Sequence, residues 1–354
     1  MVESVRDMRK IKLWWLPVLL AIFGVVIGTS HSVNAASSKS YEEVPLSVIP
    51  VKNPYQVNAN TAFYDLEIQP GKSTELQMKL ANKGTKAIVV DMQAITSTTS
   101  TGSQISYANT TQPKDSSLAH PLSSLIKIPD AYHKLTIPGQ STALFHMPIT
   151  MPTQKFRGII LGAIRVSPVV KKSTQAGIGN TYGYAVAVRL SNGLSEQPDL
   201  RLKQVGVVND FTGTAVTATL QNYKASMLRN GKLSTRVTKQ GQNRTLKALT
   251  VNAASAAPNS TWTVKTPWDG AVAPGDYTMH VKYTTTDPQF SGTKVWNFSR
   301  NFHISTVDAA RYNLSQLNIP WWVYLILAII LLLLIIVIVL LVKRRKEANH
   351  REKE

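Results

Sequence analysis

From residue 62 onward, hydrophobic and polar side chains alternate in short runs, the period of a half-buried β-strand. The runs 62–68 (AFYDLEI), 73–80 (STELQMKL) and 86–95 (KAIVVDMQAI) are separated by Gln69-Pro70-Gly71 and Asn82-Lys83-Gly84, both turn-forming sequences. Alternation returns at 134–137, 141–150, 156–166 and 182–190. The run 156–166 (FRGIILGAIRV) has a continuous apolar centre, which predicts a strand in mid-sheet. Between these groups, 96–120 is rich in Ser, Thr and Gly and has no apolar period beyond a short strand at Ile105-Ser106-Tyr107. A loop of that length is functional or disordered. Residues 37–61 read as an extended lead-in broken by Pro and Asn, and 169–180 as an exposed hairpin or loop. After a turn-rich stretch at 191–198, further strands are expected at 200–208, 214–221, 233–239, 261–265, 276–284 and 294–304. Strand number and spacing predict an all-β fold of two consecutive immunoglobulin-like sandwiches. The first should occupy 36–193 and the second 194–306, with 307–319 as a juxtamembrane tether.

One stretch breaks the pattern. Residues 321–342, WWVYLILAIILLLLIIVIVLLV, contain no charge, Gly or Pro. At about 1.5 Å per residue they make about 33 Å of helix, enough to cross a hydrocarbon core of about 30 Å. Trp321, Trp322 and Tyr324 stand at one end, and Lys343, Arg344, Arg345 and Lys346 follow the other. This predicts a transmembrane helix at 320–342 with a cytoplasmic basic tail, 343–354, and everything before it outside. The amino terminus has the form of a signal peptide, 1–35: a basic start, an apolar run at 13–28, and Val33-Asn34-Ala35 as a small-residue cleavage site. The competing reading is an uncleaved signal anchor and a second span.

Composition narrows the setting. The chain has no cysteine, which for an exported protein of this size points to a Gram-positive surface rather than a disulfide-rich animal one. Of the formal charge of +19, +2 lies in residues 1–12, +3 in 343–354 and the remaining +14 between them. Lys224, Arg229, Lys232, Arg236, Lys239, Arg244 and Lys247 run without one acid between them, a candidate basic patch for an anionic partner. Outside such a membrane the available anions are teichoic-acid phosphates and lipid headgroups, not nucleic acid. The plainer reading is solubility charge spread over a β-domain.

No catalytic constellation is visible. Between the two termini the histidines, at 120, 133, 146, 280 and 303, are scattered, without a His-Glu-x-x-His pair for zinc. Neither a Gly-x-Ser-x-Gly elbow nor a phosphate-binding loop is present, so no cofactor is expected and a non-catalytic role is favoured. A glycosidase needs only two carboxylates flanking one bond, so a cell-wall-active hydrolase stays open as an alternative.

Several stretches together resemble the WxL-interacting protein family of Gram-positive surfaces. In the first domain these are Asn53-Pro54-Tyr55-Gln56, Phe63-Tyr64-Asp65-Leu66, Pro70-Gly71, Gly102 with Ile105 and Tyr107, Met151-Pro152, and Phe156 through Gly162. In the second they are Leu220-Gln221-Asn222, Ala257-Pro258-Asn259-Ser260, Pro274-Gly275-Asp276-Tyr277, and Trp296-Asn297-Phe298 before Phe302. Ala163 stands where that pattern would have a second glycine. The resemblance implies a peptidoglycan-binding first domain, a second domain that meets host extracellular-matrix protein, and WxL-domain surface proteins as partners. An adhesin acting mainly through the second domain is the other binding reading. The resemblance assigns no contact residues. Glycan recognition by aromatic faces beside polar groups makes Tyr55, Gln56, Tyr64 and Tyr107 the candidates; the plainer reading is that these residues pack, and of Phe63 and Tyr64 only one faces out.

Overall fold

The computed structural model describes residues 45–111, 114–169, 183–316 and 320–351. The expected signal peptide and most of the loop at 169–180 lie outside the described residues. In chain order the first sandwich contains β1 (Leu46–Pro50), β2 (Tyr64–Glu67), β3 (Ser73–Asn82) and β4 (Ile88–Thr96), then a small ribbon of β5 (Thr98–Thr99) and β6 (Ile105–Ser106). A helical turn α1 (Leu122–Leu125) precedes β7 (Leu135–Ile137), β8 (Ser141–Thr150), β9 (Ile159–Pro168) and β10 (Tyr184–Ser191). Two sheets result, ordered β1-β3-β8 and β2-β10-β9-β4-β7. Alternation in β3 turns Leu76, Met78 and Leu80 into the core against Phe145, Met147 and Ile149 of β8. As its apolar centre predicts, β9 lies in mid-sheet, between β10 and β4, and Leu122 of α1 lies close against Gly162 of that strand.

The second sandwich has its own core, centred on Val216, Leu220, Trp262, Tyr277 and Tyr283. It is built from β11 (Leu200–Asp210), β12 (Gly213–Asn222), β13 (Leu228–Lys239), β14 (Thr245–Ala256), β15 (Ser260–Pro267), β16 (Gly275–Thr285) and β17 (Lys294–Ile304). The sheets are β11-β12-β15 and β14-β13-β16-β17. The two domains share one local device. Asn82 ends β3 and Asn222 ends β12, both buried, and each amide donates to carbonyls of the loops beyond: Lys86, Ile137 and Pro138 in one, Ser226 and Ala257 in the other. A buried amide left unbonded would cost about 1–3 kcal/mol, so these loops are fixed by the asparagines.

The structure departs from the sequence expectation in three elements. The lead-in forms β1, and 53–57 covers the edge of β2, with Val57 donating to the Asp65 carbonyl and Glu67 to that of Tyr55. β14 was not foreseen: it is an edge strand, mostly solvated, with register shifts against β13 and Ala253 at φ +52°, so its alternation is broken. The expected tether is largely helix, α2 (Thr306–Gln316). Ser305 and Asp308 form a capping pair at its start, and Asn313 exchanges two hydrogen bonds with the Val272 backbone, holding it on the sandwich. Then comes α3 (Trp321–Arg351), whose segment Trp321–Lys343 contains an 18-residue stretch with a mean hydropathy of 4.0 and no buried residue, long and apolar enough to cross a membrane.

Gly231 offers a direct test of the second core. A Cβ there would lie 2.2 Å from the ring of buried Tyr283, whose hydroxyl already donates to the Ala254 carbonyl. Gly231→Ala should therefore destabilise the second domain by about 1–3 kcal/mol through overpacking, read as a lower midpoint in urea at unchanged slope.

Candidate binding groove between the domains

The Ser- and Thr-rich stretch after β4 is the joint between the two sandwiches. Its small side chains let backbone approach backbone, and their hydroxyls satisfy the polar groups buried by doing so. Thr99 accepts from the Ala257 amide at 3.0 Å and meets Ser260 Oγ at 2.5 Å. Buried Ser103 accepts the indole N–H of Trp262 at 3.1 Å, and its carbonyl takes the Ser255 amide at 2.8 Å. Gln104 donates to the Ala253 carbonyl, and Asp115 accepts from Gln221 and from Thr261, both at 2.6 Å. On the other side of the joint Gly158 donates to Leu194 and Ile159 to Ala225. Gly158 sits at φ +87°, and a Cβ would lie 2.0 Å from the Ala225 carbonyl, so no side chain fits this contact.

Beside the joint opens a groove of about 750 Å³. Phe63, Tyr107, Leu161 and Met227 supply apolar surface; Asp65, Glu67, Arg189, Glu196 and Arg229 supply charge. Asp65 and Arg189 are register partners on β2 and β10 and form an ion pair. Arg229 holds the fully buried Asp287 carboxylate with two hydrogen bonds, at 2.9 and 3.1 Å. Glu196 lies 3.7 Å from both Arg157 and Lys224. The lining thus mixes aromatic faces with fixed charges of both signs, a surface for a ligand with hydroxyl, amide and ionic groups. Among the described residues no group of His, Asp or Glu is arranged to hold a metal ion.

The candidate residues separate. Tyr107 lines the groove, where burial pushes its hydroxyl pKa up. Tyr55 is more than a third exposed and is not part of the groove lining; its carbonyl accepts from the Glu67 amide. Gln56 uses its amide on Asn58, Thr61 and Phe63, organising its own loop. Tyr64 must be corrected: it is 1 % exposed in the first core with its hydroxyl donated to Gln77, and the outward member of the pair is Phe63. The seven basic residues form no single patch. Lys224 and Arg229 face acids from elsewhere in the chain, and Lys247 reaches the Asp269 carbonyl. Lys239 ends β13, and Arg244 lies in the turn before β14. Only Lys232 and Arg236 share the outer face of β13, joined across the ladder by Lys282 and His280. Strand register, absent from the sequence, creates that grouping. Phe63, Arg189 and Met227 were not foreseen for the same reason: the groove exists only once the domains meet.

The family model for the peptidoglycan binding domain of WxL Interacting Protein matches residues 46–168, and that for its host binding domain matches 173–314. These two matches define the class, a cell-surface protein built from binding domains. The chain belongs to the WxL-interacting protein family. Similar solved structures include the CsuC–CsuE chaperone–tip adhesion subunit complex from Csu pili of Acinetobacter baumannii, at 14 % identity over 65 % of this chain and 93 % of that one, TM-score 0.29. The Pseudomonas aeruginosa CupB2 chaperone is 11 % identical over 63 % and 91 %, TM-score 0.27. The Escherichia coli chaperone DraB is 10 % identical over 73 % and 96 %, TM-score 0.27. A search of curated proteins returned no match.

The joint carries a pH dependence. Burial pushes the Asp115 pKa up, but hydrogen bonds from Ser117, Thr261 and Gln221 outweigh it and hold the carboxyl below its usual range. Asp287 is depressed likewise, burial being outweighed by Arg229 and the Gln289 amide. A carboxyl depressed in the folded state stabilises fully above its unfolded pKa of about 3.9, and that contribution is lost as pH falls through the folded value. Thermal melts should therefore be flat near neutrality and fall below about pH 4. Asp115→Asn should weaken that acid fall and expose 98–117 to proteolysis at pH 7.

Proposed function

We propose that the protein is a non-catalytic, membrane-anchored adaptor. Its first domain and the interdomain groove hold peptidoglycan, its ectodomain holds a WxL-domain protein, and its second domain is free for host-matrix contact. The observation that carries this reading is the tandem match, in order, of residues 46–168 and 173–314 to binding domains of one family. The apolar helix after them supports an anchor, and the basic run behind it supports an amino-terminal ectodomain outside and a cytoplasmic carboxyl terminus. The groove supports a saccharide–peptide ligand: Phe63 and Tyr107 offer aromatic faces, and the charges of both signs suit a stem peptide bearing carboxylates and amines. Asp65 and Glu196 are both held in ion pairs, an arrangement for positioning rather than for proton delivery to a glycosidic bond. A narrower reading, adhesion through the second domain, draws on the outer face with Lys232, Arg236 and Lys282.

The test is a pull-down of residues 36–318 on purified peptidoglycan and on a WxL domain, at low and high salt. The adaptor reading expects binding to both without release of soluble wall fragments, and a several-fold loss on the wall for Tyr107→Ala at unchanged melting temperature. Fragment release would establish a hydrolase. Matrix binding that survives at low salt and is lost with Lys232→Ser and Arg236→Ser, with no wall binding, would establish the adhesin.

A further inference from the structure

The second sandwich has two unlike ends. One end meets the first domain: there β12 finishes at Asn222 and β15 begins at Ser260. The register puts the β11–β12 turn, the end of β15 and the end of β17 at the opposite end, since Asp210 pairs with Gly213, Ala215 with Pro267 and Gly275 with Ile304. From that far end α2 departs, and Gln316 is four residues from Pro320, a reach of at most about 14 Å. The far end is therefore held close to wherever Trp321 and Trp322 sit.

That end carries apolar side chains that no described residue covers. Phe211, at the tip of the β11–β12 hairpin, is 100 % exposed. The turn beneath it is well closed: Asp210 accepts from the Thr212 amide and hydroxyl and is ion-paired with Lys265, so the adjacent acid is neutralised and Phe211 points away. On α2, Ala309 and Tyr312 face the core, whereas Val307 and Leu314, seven residues apart and so on one face, are 76 % and 64 % exposed. Arg311 lies on the exposed side with them. A single exposed apolar residue on a soluble domain is ordinary. A fully exposed Phe on a closed turn, together with an apolar stripe bearing one Arg on the helix that leads into the span, is the composition of a membrane-interface contact.

We propose that the far end of the second domain docks on the outer leaflet of the membrane crossed by α3. Phe211 and Leu314 enter the headgroup–acyl boundary, and Arg311 reaches lipid phosphate. This rests on the reading of α3 as a span and goes beyond it: the ectodomain is attached at a hairpin and a helix face as well as by its terminal tether, which fixes its tilt. The partner is the lipid surface itself.

The absence of cysteine permits a clean test. Single cysteines at Leu314→Cys, Thr212→Cys, Leu327→Cys within the span, and Lys79→Cys on the first domain would each carry a nitroxide, in full-length protein reconstituted into phosphatidylcholine–phosphatidylglycerol vesicles. The labels at 314 and 212 should be several-fold less accessible to a water-soluble relaxant than the label at 79, and the label at 212 should become as accessible as that one in a Phe211→Ser background. Both reading as fully aqueous while the label at 327 reads as lipid-buried would overturn the docking and leave the span standing. An aqueous reading at 327 as well would remove the span and the docking together.

Discussion

The groove between the domains depends on one constraint: a Ser- and Thr-rich loop has to bury polar backbone between two separate β-sandwiches and leave it bonded. Thr99, Ser103 and Asp115 meet that requirement from one side, and Gly158 permits it from the other. Each domain has its own core, so neither needs the other to bury apolar surface. What the joint adds is relative position. The groove is a product of that position, because β2 and β10 of the first domain form one wall and residues 226–229 and 289 of the second form the other.

Much of this was legible in the chain. Strands with strict alternation, such as β3 and β16, read directly because one face of each meets a core and the other meets water. The mid-sheet position of β9 followed from its continuous apolar centre for the converse reason. β14 was illegible because it is a solvated edge strand, where few inward positions need apolar residues. α2 had a readable signal that went unused, the Ser305-x-x-Asp308 capping pair. The groove and the dispersal of the basic residues were beyond sequence reading altogether. Asp287 lies 58 residues from the Arg229 it neutralises, and only the fold brings them together. The same separation explains the error at Tyr64: alternation shows that one of two adjacent aromatics faces out, and the register decides which.

Charge in this protein is organised locally rather than as a global field. The excess of Lys and Arg in the sequence invites the picture of one broad cationic surface, yet the structure commits Arg189, Arg229, Lys224 and Lys265 to carboxylates from distant segments. The cations left on a common face, Lys232, Arg236 and Lys282, come from two neighbouring strands. Burial together with the Arg236 charge lowers the pKa of His280 among them, which keeps that ring neutral at physiological pH and leaves the charge of the face to the other three.

The order of the strands also sets how the second domain would carry tension. The chain enters it at the start of β11 and leaves at the end of β17, at opposite ends of the sandwich and in different sheets. A pull between wall and membrane would therefore draw β11 and β17 along their own axes. Each is laddered to an antiparallel neighbour over about its whole length, β11 to β12 and β17 to β16. Their interstrand bonds would be strained side by side rather than opened one after another. Held between a wall and a bilayer as proposed above, the cysteine-free domain would in this way resist extension through its topology, with no covalent crosslink to help it.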